Sequence, residues 1–149
     1  DTHAGAFAVT GGGLYLLLYC GGCSELPVRG AAAVSVGFVL SRALSGLAAA
    51  VFPGAREHGM LADFMKDSRR RLVAASMGFY MAVSAGAMIL LGGLCGAAAA
   101  LGAVLAFLYY RRMVFREFGG VTGDLAGYFL QLCELFMVLA AAVCHLAIS

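Results

Sequence analysis

Residues 72–110 read LVAASMGFYMAVSAGAMILLGGLCGAAAALGAVLAFLYY, with no charged side chain among them. About forty residues of unbroken helix would be about 60 Å long, twice the hydrocarbon thickness of a bilayer. The only break is the pair Gly92–Gly93. The stretch is therefore read as two spanning helices, Leu72–Leu91 and Leu94–Tyr110, joined by a tight hairpin. The whole chain has the same character. It is 62% hydrophobic and 12% charged over 149 residues, with a mean hydropathy of +0.93. A soluble domain holds ~45–50% apolar and ~25% charged residues. A core of this size has no room for so much apolar surface, so the solvent must be lipid.

Working outward, three more apolar segments stand out: Ala4–Tyr19, Gly30–Phe52 and Tyr128–Ile148. The expectation is an all-α, polytopic transmembrane bundle of about five spanning helices, forming one integral-membrane domain over residues 1–149. Ala4–Tyr19 and Leu94–Tyr110 are short for a span and need Cys20–Cys23 or the tyrosine pair at an interface to complete them. If every segment spans, one face carries Arg56, Lys66, Arg69, Arg70, Arg71, Arg111, Arg112 and Arg116, and the other only Arg29. By the positive-inside rule the basic face is cytoplasmic and the C-terminus lies outside. The net charge of +2 gives no case for nucleic acid. Five cysteines, several within apolar runs, do not form a secreted disulfide framework. Cys20 and Cys23 have the spacing of a metal or redox pair, but a structural zinc site needs four ligands and no second pair exists, so their role stays open. Small residues crowd the segments and permit close helix approach.

Few polar side chains fall inside the spans. Arg42, after Ser41, sits midway through Gly30–Phe52, where a charge costs at least ~2.5–3.5 kcal/mol. It must face a polar cavity, a carboxylate or a phosphate. The plainer alternative is an ion pair with Glu134; the sharper one is a forked contact to substrate phosphate. Before the last span runs Phe118-Gly-Gly-Val-Thr-Gly-Asp-Leu-Ala-Gly127, whose glycines let the backbone approach a ligand. At 100° per residue, Asp124, Gln131 and Glu134 lie within about 80° on one helix face. Asp124 alone reads equally as a helix cap. Carboxylates open to water suit Mg²⁺, with Asp124 as the candidate ligand. The loop Phe52–Ser68, with Arg56 and Gly59, is either a solvated connection or a lid over a phosphate-bearing substrate. Thr2 and His3 read as interface residues, and His145 as structural.

Gly119-Gly-x-Thr-Gly-Asp124 followed by Glu134 resembles the C-terminal signature of the cobalamin synthase family (adenosylcobinamide-GDP ribazoletransferase). Ser41-Arg42 resembles that family's Ser-Arg in a spanning helix. Arg56-Glu-His-Gly59 with Phe64 resembles its Arg-x-x-Gly loop, and Thr2-His3-x-Gly5 the tail of a mid-chain Asp-Ser-Arg-x-Gly-Thr-x-Gly stretch. The resemblance implies a membrane enzyme that joins α-ribazole, or its 5′-phosphate, to adenosylcobinamide-GDP and releases GMP with Mg²⁺. Asp124 and Glu134 are then expected to be catalytic. Ser41, Arg42, Arg56, Gly59, Gly120, Thr122, Gly123 and Gln131 are expected to bind substrate.

The family's aspartate-rich motif, Asp-Gly-x-x-Asp-x-x-Asp-Gly, has no counterpart here. The chain is accordingly read as the C-terminal part of a longer transferase, inactive alone, with a homo-oligomer left open. Two other readings compete: a lipid-headgroup (CDP-alcohol-type) phosphotransferase, and a transporter subunit. A transporter would favour paired repeats, and none is seen.

Overall fold

A computed structural model describes residues 2–53 and 70–149. Among these residues there are four helices: α1 Thr2–Ser24, α2 Val28–Val51, α3 Arg70–Met113 and α4 Gly123–Ile148, with a π-helical turn at Val114–Phe118 after α3. All four are long and apolar enough to cross a membrane. The third and fourth predicted segments are the two arms of α3, which is broken at Gly93, so the four helices supply the about five membrane-length segments expected.

That break is Gly93, with φ +57° and ψ −127°. Side chains rarely tolerate a positive φ, and glycine does so without a steric penalty. Gly96 lies against the carbonyl of Met88. In a straight helix those residues would be about 12 Å apart along the axis, so α3 folds back on itself at Gly93. Its two arms, 70–92 and 94–113, run antiparallel.

Local chemistry sets the other boundaries. Pro27 precedes α2 in extended conformation, and its carbonyl accepts the first helical bond, from Ala31 at 2.9 Å. Proline suits a helix start because it lacks the donor that would otherwise be unpaired there. At the other end Pro53 disfavours helical geometry in the residue before it. Phe52 is accordingly extended, with φ −81° and ψ 150°. Arg70 then closes the exposed end of α2. Its Nε donates to the Ala50 carbonyl and its Nη2 to that of Val51 at 3.1 Å.

Small residues fix the packing. Ala33, Gly37 and Gly46 of α2 meet Gly92, Met88 and Met77 of α3 in reverse order. On the second arm, a Cβ at Gly102 would stand 2.7 Å from the carbonyl oxygen of Phe136 in α4, a backbone approach that only glycine permits. Near the basic end, Phe107 and Tyr110 pack on Phe129 with ring centroids 5.9 and 4.7 Å apart. The second arm of α3 is thus antiparallel to α4, and so is α2. The core lies between α2, α3 and α4, around Leu40, Met88, Ala103, Phe129, Cys133 and Met137. α1 stands at the periphery with Phe7, Val9 and Leu17 exposed. Such apolar exposure on long helices fits a multi-pass membrane protein whose outer surface meets lipid.

Candidate functional site

The helix arrangement brings the two mid-span charges together. α2 carries Ser41 and Arg42, α4 carries Glu134, and their antiparallel contact sets these residues level. Arg42 Nη1 lies 3.2 Å from Glu134 Oε1. The fully buried Ser41 hydroxyl is 3.3 Å from the same oxygen and 3.0 Å from the carbonyl of Phe38. The Glu134 side chain is 12% exposed and that of Arg42 60% exposed. One end of the guanidinium therefore holds the buried carboxylate, while Nε and Nη2 have no partner among the described residues. The ion pair weighed from the sequence exists, and it leaves forked donors free on the outer side.

Two tyrosines complete this level. Tyr15 and Tyr19 of α1 stack with ring centroids 5.7 Å apart, and both lie within range of the Glu134 charge. The sequence reading passed over them. The available signal was their i, i+4 spacing on an otherwise aliphatic helix, which places both on one face.

The glycine-rich turn sits at the opposite depth, at the basic end of the bundle. Gly119, φ +66°, ends the π turn. Gly120 is buried. Val121 N–H donates to the carbonyl of Pro53 at 2.9 Å, which ties the turn to the end of α2. Thr122 is the N-cap: its backbone is extended (φ −121°, ψ 164°), and its Oγ1 accepts from Leu125 N–H at 3.3 Å. This corrects the alternative that made Asp124 the cap. Asp124 lies in the first turn of α4, exposed, where its charge complements the positive end of the helix dipole.

The predicted stripe on α4 runs along the helix from the interface inward. Asp124 and Glu134 are separated by about 15 Å along the axis. Gln131 is exposed and Glu134 buried, so the stripe runs from the outer surface into the packed face. Among the described residues no group of three or more His, Cys, Asp or Glu could hold a metal ion. The exposed carboxylates flanking the glycine-rich turn are those of Glu117 and Asp124. Arg56 and Gly59 lie outside the described residues. Cys20 and Cys23 are exposed free thiols.

The family model described as cobalamin-5-phosphate synthase matches residues 1–142. A relative from Lachnoclostridium phytofermentans named adenosylcobinamide-GDP ribazoletransferase is 41% identical over 143 residues, covering 96% of this chain and 55% of the relative. One of the same name from Pseudomonas fluorescens SBW25 is 31% identical over 144 residues, covering 96% and 58%. A third so named, from Pseudomonas syringae pv. tomato, is 40% identical over 83 residues, covering 56% and 31%. The chain thus spans little more than half the length of the first two relatives. No solved structure matches it significantly. With a match that runs from the first residue through most of α4 and includes the Ser41-Arg42 pair, the Gly119–Asp124 turn and Glu134, the chain belongs to the cobalamin-5-phosphate synthase family.

Proposed function

We propose that this chain is part of an inner-membrane transferase that joins α-ribazole, or its 5′-phosphate, to adenosylcobinamide-GDP in a late step of adenosylcobalamin synthesis. The family match over residues 1–142 carries the reading. The name printed for the relatives supports the substrate class. The acceptor oxygen of the ribazole forms a bond to the phosphorus attached to cobinamide. The bond from that phosphorus to GMP breaks, GMP leaves with the electron pair, and the acceptor proton passes to solvent or a carboxylate.

The chain's own residues have definable parts in this reaction. The free Nε and Nη2 of Arg42 pair with phosphate oxygens, where a guanidinium fork fits two at once. Glu134 positions Arg42 by accepting from its Nη1, and Ser41 steadies Glu134 by donating to the same oxygen. Asp124 is an exposed carboxylate at the glycine-rich turn, and the Gly120, Thr122 and Gly123 backbone offers a close approach to the ligand. The active face is the basic one and is cytoplasmic. Mg²⁺, which the family resemblance implies, needs oxygen ligands beyond Asp124, and because the family's aspartate-rich motif is absent from these 149 residues we read the chain by itself as inactive.

The test is a chimera in which the part of the Lachnoclostridium relative outside the matched region precedes this chain. Membranes holding the chimera, with adenosylcobinamide-GDP, α-ribazole and Mg²⁺, should release GMP in step with cobalamin. Membranes holding this chain alone should release none. A chimera that inserts and folds but yields no GMP sinks the assignment.

A further inference from the structure

At the basic end of α3 an open concavity of about 510 Å³ is lined by Leu108, Arg111, Arg112, Phe115 and Arg116. Three arginine side chains border it, and none has a carboxylate partner among the described residues, whose single ion pair is Arg42–Glu134. Arg70 at the same end differs, because it is committed to the carbonyls of α2. The floor is apolar: Leu108 and Phe115 are about half exposed, and Phe115 is steadied edge-on by Phe52 with centroids 5.1 Å apart. Phe115 and Arg116 belong to the π turn, which widens the helix where it passes the groove. The groove lies where a spanning helix emerges from the bilayer, with its apolar residue Leu108 toward the membrane and Arg116 toward water.

We infer that this groove is a binding site for the headgroup of an anionic phospholipid. Each guanidinium offers paired donors to the non-bridging oxygens of a phosphodiester. Leu108 and Phe115 accept the first methylenes of the acyl chains. A zwitterionic headgroup would bring its own cation among three arginines, so the site prefers phosphatidylglycerol to phosphatidylcholine. The site is independent of the proposed reaction and stands without it.

Native mass spectrometry of the purified full chain in detergent tests this, with phosphatidylglycerol, phosphatidylcholine and inorganic pyrophosphate as probes. The wild type should retain phosphatidylglycerol preferentially. Arg111→Gln/Arg112→Gln/Arg116→Gln should weaken it at least about tenfold, and Arg29→Gln, at the other end of the bundle, should leave it unchanged. Arg111→Lys/Arg112→Lys/Arg116→Lys keeps the charge that sets topology, so it serves if the glutamine variant fails to insert. It should bind several-fold more weakly than wild type while keeping the lipid preference. Equal retention of the two lipids overturns the inference. So does wild-type affinity in either triple variant, or pyrophosphate held more tightly than phosphatidylglycerol.

Discussion

The backbone N–H of Val121 donates to the carbonyl of Pro53 at 2.9 Å, fastening the turn before α4 to the residue that ends α2. Ser41 and Arg42 lie on α2, and Thr122, Asp124 and Glu134 lie at or beyond that turn. One backbone bond at the basic end and one ion pair at mid-span therefore hold the two polar levels of the site in register.

Removing Arg42 and removing Glu134 should not cost the same. Glu134 is buried and without Arg42 loses its ion-pair partner in an apolar setting, whereas Arg42 can turn outward. Arg42→Ala should lower the unfolding midpoint more than Glu134→Gln, and the double variant should recover part of the loss. A double-mutant cycle should give a coupling of roughly 0.5–3 kcal/mol. No coupling would mean that the pair does not hold α2 to α4. In the active chimera, Arg42→Ala should reduce GMP release more than membrane abundance; equal losses would leave it a structural residue only.

Thr122→Ala should cost about 0.5–2 kcal/mol through loss of the cap, and Thr122→Ser should restore it. Asp124→Asn should cost only the charge–dipole contribution, about 0.3–1 kcal/mol, because Asp124 is exposed and caps nothing. In the chimera it should weaken the dependence on Mg²⁺ or on nucleotide. Unchanged kinetics would remove Asp124 from the site.

Gly93→Ala places a Cβ at φ +57° and should destabilise by roughly 1–2 kcal/mol. Gly78→Ala, in the first arm of the same helix with nothing within 4 Å of the added carbon, should be neutral or stabilising. Thermal unfolding in one detergent compares the two directly. A Gly93→Ala protein as stable as wild type would show that the reversal does not depend on glycine.

In a cysteine-free background, Ser149→Cys should react with an impermeant maleimide on intact spheroplasts, and Phe118→Cys only after permeabilisation. These residues lie at opposite ends of the bundle. The reverse pattern would place the basic end outside the cell and remove the cytoplasmic active face.

Sequence alone revealed what depends on hydropathy and on rare residues. The fold-back at Gly93 was legible because two glycines interrupt an otherwise seamless apolar run, and a charge such as Arg42 announces itself by its cost in lipid. Helix ends were less legible. α4 begins at Gly123, beside the Asp124 from which the helix-face count ran but five residues before the apolar segment at Tyr128, because Thr122 caps it and capping acts outside the apolar stretch that marks a span. α1 likewise continues to Ser24, beyond Tyr19, since Cys20–Cys23 are compatible with helix though poor in hydropathy. The burial of Glu134 beside the exposed Gln131 was also hidden, because angular agreement on one helix does not say which neighbour packs against it. Tyr15 and Tyr19 were invisible because what gives them meaning is Glu134 on another helix, which α1's own pattern does not encode.

The reversal at Gly93 uses a single residue outside helical geometry. On that side of the bilayer no hydrophilic connection joins the arms of α3, so there is nothing for a protease to cut or a soluble partner to grip. The two arms must enter the membrane as one folded piece. Any reporter inserted between them would disrupt the insertion it was meant to observe.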